Sequence, residues 1–213
     1  DKERLMSNHR KGKLFVISGP SGAGKGTICK ELCNGRDGID LSVSMTTRAP
    51  REGEIEGKHY FFVSREQFLE NVENGKMLEY ADVFGNMYGT PKDAVISKLE
   101  RGRDVILEID VQGGMQVKQS MPETVLIFIL PPSLKILRER LEGRATDSQE
   151  VIEKRLAGTI NEIKLLGEYD YYVVNDELET AINDVRGIIK AERMRVPDKV
   201  KPIIARYENE RGE

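Results

Sequence analysis

Residues 19–27 read GPSGAGKGT and follow directly on the apolar run LFVIS. Glycines at this spacing let a chain turn its backbone N–H groups inward between a strand and a helix, and a lysine at the end adds a point charge. That combination cradles the phosphates of a nucleotide. Gly19, Pro20, Ser21, Gly22, Ala23, Gly24, Lys25, Gly26 and Thr27 are therefore the candidate nucleotide-binding stretch. The strict pattern puts Ser or Thr immediately after the lysine, where its hydroxyl ligates Mg²⁺. Here that place is held by Gly26, and Thr27 comes one residue later, turned by roughly 100° toward a different oxygen in a regular helix. The phosphate cradle is complete, but no firm metal ligand is expected from the loop. Mg²⁺ can keep several waters and lean on the nucleotide's own oxygens.

A second group lies in LSVSMTTRAPREGEIEGKHYFFV (41–63), where Arg48 and Arg51 flank a proline and Tyr60 follows. Two planar guanidinium forks and a phenol can converge on one tetrahedral anion. A third is LRERLEGRATDSQEVIEKRL (137–156), with Arg138, Arg140, Arg144 and Arg155 spread over a helix, a loop and another helix. By itself such a charge-rich stretch reads as a solvated face. Cys29 and Cys33 stand four apart with no histidine nearby, so they read as small half-buried helix residues rather than metal ligands.

Apolar runs must position these groups. KLFVIS (13–18), DVILEI (104–109), TVLIFIL (124–130) and YYVV (171–174) are each followed by a helical pattern. Such alternation predicts a parallel sheet covered on both faces. Between about residues 42 and 90 the strands become shorter and more polar, as in HYFFV and MLEYA. There Ser64 and Gln67 predict a capping box, and Gly75 a helix stop. In TPKDAVISKLERG, Thr90, Pro91 and Asp93 read as a helix cap, a first-turn proline and an acid at the third position. The 213 residues carry 33 basic and 36 acidic side chains, a net charge of −3. No global positive field favours nucleic acid or an anionic membrane. No apolar run approaches the roughly 20 residues of a membrane span, and the polar start lacks a signal-peptide core, so a cytoplasmic protein is expected.

With MLEYADVFGNMYGTP (77–91) and ILEIDVQGG (106–114) added to the loop, to SMTTRAPR and to the arginine-rich stretch, the sequence resembles the guanylate kinase family from about residue 13 to residue 194. The resemblance implies an α/β fold: a three-layer parallel-sheet P-loop kinase core with a small mixed α/β acceptor-binding insertion and a helical lid. It implies a flexible tail at 1–12 and a single domain over 13–213. Within that domain the core is 13–41, 91–136 and 167–194, the GMP-binding insertion 42–90, the lid 137–166 and a C-terminal tail 195–213.

It also implies ATP and GMP as substrates, Mg²⁺ as the ion that accompanies ATP, and a monomer or homodimer. By motif position Ser44, Arg48, Arg51, Tyr60, Glu79, Tyr88, Thr90 and Asp110 would bind GMP, with the arginines and tyrosines on its phosphate and Ser44 and Thr90 near guanine O6. Glu79 and Asp110 would accept from guanine N1–H and the 2-amino group. A buried acceptor left without a donor is costly, so this arrangement can reject adenine by roughly 10⁴ or more. Lys25 and the lid residues Arg140, Arg144 and Arg155 would carry catalysis, Arg138 would not, and Asn175 would lie near adenine. Asp110 could also serve Mg²⁺ through water. The family usually has glycine after the lid-loop arginine, where this chain has Ala145. Two alternatives stand beside this reading: a related kinase for AMP, against which the two acids argue, or for a ribose bisphosphate, and a non-enzymatic guanylate-kinase-like module, against which the loop and the lid arginines argue.

Overall fold

Four apolar residues and a serine, Leu14–Ser18, form strand β1, and all five are buried. Their side chains alternate, as a pleated strand requires. Phe15 and Ile17 join one apolar cluster while Leu14 and Val16 join another on the opposite face. A computed structural model describes residues 11–35, 38–83, 85–143, 148–197 and 200–210. In it β1 is flanked by β7 (Asp104–Glu108) and β8 (Val125–Leu130), both parallel to it, with Phe15 in register with Ile106 and Val125. β2 (Ile39–Leu41) and β9 (Tyr171–Val174) complete a parallel sheet of order β2-β7-β1-β8-β9. One face is covered by α1 (Lys25–Leu32) and α7 (Leu178–Arg193), which supply Ile28, Leu32, Ile182 and Val185 to the first cluster. The other is covered by α3 (Lys92–Glu100) and α4 (Val111–Ser120), which supply Val95, Leu99 and Val117 to the second. The expected three layers are present.

A second sheet lies within residues 44–91. It contains β3 (Ser44–Thr46), β4 (Tyr60–Phe62), β5 (Met77–Val83) and β6 (Asn86–Pro91) in the order β4-β3-β6-β5. β3 and β4 run parallel and the other pairs antiparallel, so the sheet is mixed. The helix α2 (Arg65–Glu73) opens on the expected reciprocal cap between Ser64 and Gln67, and Gly75 follows it at φ 65°.

Three local readings are corrected. Thr90 is not a helix cap: it lies in β6, and Pro91 takes the N-cap of α3 without a side-chain cap bond. Asp93 consequently sits at the second helical position rather than the third. Cys29 is fully buried, not half-buried, and Cys33 is partly so. Burial pushes both thiols up, that of Cys33 to about 11.

After β8 come α5 (Leu134–Glu142) and α6 (Gln149–Ile163), opened by the caps Ser133 and Ser148. They share a small core of Leu137, Leu141, Ile152 and Leu156. Arg138 braces the pair through Glu153 at 2.6 Å. The last described element is α8 (Lys201–Glu210). Among the described residues no helix is long and apolar enough to cross a membrane. Residues 1–10 of the expected N-terminal tail lie outside the described residues.

Candidate active site

The loop after β1 is fitted so closely to its surroundings that two positions admit only glycine. At Gly19 (φ 144°) a Cβ would stand 2.3 Å from the carbonyl oxygen of Ile129. At Gly24 (φ 92°) it would stand 2.3 Å from Nδ2 of Asn175. That carboxamide is buried at the end of β9 and donates to the Ala23 carbonyl at 2.8 Å. The expected adenine-side residue is thus turned toward the loop as a prop. Its own backbone oxygen accepts from Arg140 at 2.9 Å, so α5, β9 and the loop meet at one residue.

Lys25 opens α1 and folds its ammonium back over the loop, donating to the carbonyls of Gly19 and of Pro20, the latter at 3.0 Å. Burial lowers its pKa, and the carboxylates of Glu108 and Glu162 oppose that shift. Ser21 accepts from Arg155 of α6 at 2.8 Å. Thr27 is exposed on the first turn. At Gly26 a Cβ would come 3.3 Å from Oε1 of Glu108, so the position lacking a hydroxyl is next to an acid. Arg144 lies outside the described residues, as does Ala145.

The second sheet gathers the other candidates. Ser44 and Tyr60 are register partners at the start of β3 and β4. Tyr88 on β6 meets Tyr60 edge-on, ring centroids 6.0 Å apart. The guanidinium of Arg48 lies 5.4 Å from the Tyr60 centroid and is held in a bidentate pair with Glu54 at 2.8 and 3.0 Å. Glu54 also accepts the backbone N–H of Arg51 at 2.7 Å. These bonds, Arg48 first, hold its carboxyl down at about 2 and raise Arg48. The Arg51 residue itself is exposed.

Glu79 on β5 is in register with Thr90 on β6. The Thr90 hydroxyl donates to its Oε1 at 2.7 Å, and both residues are buried. Burial raises the pKa of Glu79, the bond from Thr90 opposes this, and the charge of Asp110 adds to it. Asp110 is the N-cap of α4 and accepts the Gly113 N–H at 2.7 Å. Glu79 Oε2 and Asp110 Oδ1 stand 3.2 and 3.4 Å from where a Cβ of Gly113 would be. A missing methyl group is what lets the two acids converge. Beside them a cleft is lined by Ser44, Tyr60 and Thr90 from the second sheet and by Leu107, Glu108 and Ile109 from the end of β7. His59 also lines it, with Nδ1 accepting the Ile55 N–H at 2.9 Å. This is a site that can offer cations to a phosphate at one end and acceptors to a base at the other.

Three acids that the sequence did not single out belong to this geometry. Glu54 orders Arg48. Glu108 precedes Asp110 by two residues, and its carboxyl opens into the cleft, yet the protein around it still raises its pKa by desolvation, with Lys25 opposing. Glu162 lies seven residues after Arg155, on the same face of α6, and its buried Oε2 has no hydrogen-bond partner among the described residues. Only Glu108 had a local signal, the strand-end pattern LEID.

Known proteins share the sequence and the fold. The profile of a family described as Guanylate kinase matches residues 11–192. The chain is 50% identical over 201 residues to a guanylate kinase of Clostridioides difficile, covering 94% of this chain and 98% of that one. It is 52% identical over 185 residues to one of Carboxydothermus hydrogenoformans, covering 87% and 91%. A crystal structure of guanylate kinase from Anaplasma phagocytophilum superposes with a TM-score of 0.69 at 37% identity, covering 88% of this chain and 89% of that one.

Proposed function

The chain belongs to the guanylate kinase family, and on that premise we propose how its residues divide the work of moving the γ-phosphoryl group of ATP to GMP. The protein is an ATP-dependent GMP kinase, yielding ADP and GDP. We assign dGMP as a second acceptor, the cytoplasm as its place of action, and a monomer or homodimer as its form. The core spans 13–41, 91–136 and 167–194, the acceptor insertion 42–90 and the lid 137–166. What supports the acceptor assignment most is the meeting of Glu79 and Asp110 at Gly113 beside the Thr90 hydroxyl.

In this reading the backbone N–H groups of residues 19–27 and the start of α1 hold the donor phosphates. Lys25 exchanges the carbonyls of Gly19 and Pro20 for phosphate oxygens. Arg48, kept against Tyr60 by Glu54, turns the remaining N–H groups of its fork to the GMP phosphate, together with Arg51, Tyr60 and Tyr88. Ser44 and Thr90 meet guanine O6, and Glu79 and Asp110 accept from N1–H and the 2-amino group. Adenine has no such donors. The attacking phosphate has a second pKa of about 6, so at neutral pH it is largely dianionic and needs no general base. Positioning and charge stabilisation remain: the two phosphates in line, and Arg140, Arg144 and Arg155 on the charge in transit.

The residues present suit Mg²⁺ held through water. Among the described residues no three acidic, histidine or cysteine groups could hold a metal directly. Glu108 and Asp110 nevertheless offer hard oxygens near the loop, which fits an ion that keeps most of its hydration. When bound with ATP, the ion neutralises charge on the phosphate oxygens.

An ADP-release assay with GMP, dGMP, AMP, UMP and CMP tests the assignment. Turnover is expected with GMP and dGMP and is expected to fall by roughly 10⁴ with AMP. Equal turnover of AMP and GMP refutes the roles given to Glu79 and Asp110.

A further inference from the structure

The end of α6 carries a group that the division of labour above does not use. Glu162 lies in the last turn of that helix, and its Oε2 is buried without a hydrogen-bond partner among the described residues. A carboxylate oxygen in that state has given up water without a protein donor in return, which costs stability. Such a cost in the fold points to work done elsewhere. Charges of both signs stand around the group. Burial raises its pKa, Lys25 opposes that shift and Asp110 adds to it. The relation to Lys25 is mutual: burial lowers the pKa of the lysine, and the carboxylates of Glu108 and then Glu162 oppose this most. Of those two acids, Glu108 ends a strand of the central sheet, whereas Glu162 is carried by the lid.

The placing of α6 against the loop explains how a lid residue reaches Lys25. Two turns before Glu162, Arg155 donates to Ser21 of the loop at 2.8 Å. Between them Thr159 is buried, its hydroxyl donating to the Arg155 carbonyl at 2.9 Å. One face of α6 thus brings a cation to the loop and, about 10 Å further along the axis, an anion. Lys25 spends two of its three N–H groups on the carbonyls of Gly19 and Pro20. In the reading above it leaves both for phosphate oxygens. During that exchange, a neighbour that acts by charge and has no hydrogen bond to break keeps its hold on the ammonium. We infer that Glu162 is a positioning residue for Lys25: from the last turn of α6 its carboxylate holds the ammonium over the loop while Lys25 changes partners, and it thereby ties the lid to the phosphate loop.

This role rests on the one given above to Lys25. Glu162→Gln keeps the shape of the side chain and removes its charge. It is expected to lower kcat about tenfold, with KM for GMP unchanged. Because an anion is lost from beside the donor phosphates, the β,γ-imido analogue of ATP, titrated by calorimetry with Mg²⁺ present, is expected to bind about two- to threefold more tightly. Slower turnover with tighter donor binding is a split that a merely structural residue does not give, since damage to the lid weakens both. Glu162→Asp keeps the charge and is expected to hold kcat within about threefold of the parent. In a Lys25→Ala background, Glu162→Gln is expected to change the residual kcat by less than about twofold, because the group it positions is gone. A tenfold loss in both backgrounds overturns the inference. So does weaker binding of the analogue, a parental kcat in Glu162→Gln, or a Glu162→Asp variant as slow as Glu162→Gln. If Lys25→Ala itself turns over like the parent, the role of Lys25 fails and that of Glu162 fails with it. If Lys25→Ala is slow and Glu162→Gln is not, the role of Glu162 fails alone.

Discussion

Along the phosphate loop, Lys25 and Asn175 spend their hydrogen bonds on the backbone carbonyls of Gly19, Pro20 and Ala23. Across the second sheet, Arg48 and Glu54, and Thr90 and Glu79, spend theirs on each other. The first region is a backbone shape that side chains keep in place. The second is a set of side chains from separate strands that keep one another in place. A backbone shape tolerates loss of a prop with modest damage, because neighbouring residues still define the turn. A mutual pair does not, because removing one member leaves a charge or a buried acceptor without a partner. The exception within the loop is Lys25, whose ammonium no neighbour can replace.

That contrast can be broken or sharpened by substitution, beginning with the exception. Lys25→Ala is expected to lower kcat by about 10³ or more, while calorimetric titration finds GMP affinity within about twofold of the parent. If GMP affinity collapses as well, the two regions are not separate in the way described.

Next comes Glu79→Gln, which keeps an oxygen for Thr90 but loses the charge. It is expected to cost roughly 10² in kcat/KM for GMP with KM for ATP unchanged. The same residue carries a pH signature. Burial raises its pKa above the ordinary 4.5, so its ionised form, the acceptor for guanine, is lost on acidification sooner than for an ordinary glutamate. GMP titrated at stepped pH should therefore weaken on acidification beyond what the nucleotide phosphate, titrating at about 6, accounts for. In Glu79→Gln only the phosphate's own dependence should remain. The stability effect has the opposite sign. A raised acid binds more protons in the native state, so its favourable contribution is full below the unfolded pKa and is lost as pH rises through the folded one.

The smallest effect is expected from Asn175→Ala. Loss of the prop under Ala23 should lower kcat/KM for ATP about five- to tenfold and the midpoint of thermal unfolding by about 3–6 °C, leaving KM for GMP untouched.

The same contrast explains what could be read from the sequence. GPSGAGKGT and the buried strands announce themselves, because glycine spacing and continuous apolar runs are local signals. Ser64, Gln67 and Gly75 were legible for the same reason. Thr90 was legible only through the family resemblance, since by itself a threonine ahead of a proline and a helical pattern reads as a cap. In the fold it faces Glu79 across two antiparallel strands and donates to it, beside a register shift between Met77 and Glu79. Glu54 was hidden among exposed acids, and nothing local tells that its oxygens reach back to Arg48. Glu162 sits on a helix whose pattern is ordinary, and only the closeness of α6 to the loop gives its carboxylate a neighbour in Lys25.

The place of β1 in the sheet has a consequence for how the chain is made. It precedes both of its neighbours in the chain and is the middle strand of five, and Phe15 pairs with Ile106 on one side and Val125 on the other. Until those distant segments have been synthesised, LFVIS is an apolar strand with two open edges. Such long-range parallel pairing folds slowly and is exposed to aggregation meanwhile. The order of synthesis thus leaves the strand that carries the phosphate loop waiting on chaperones or on speed, and the loop cannot take shape before β8 arrives with the Ile129 carbonyl that Gly19 packs against.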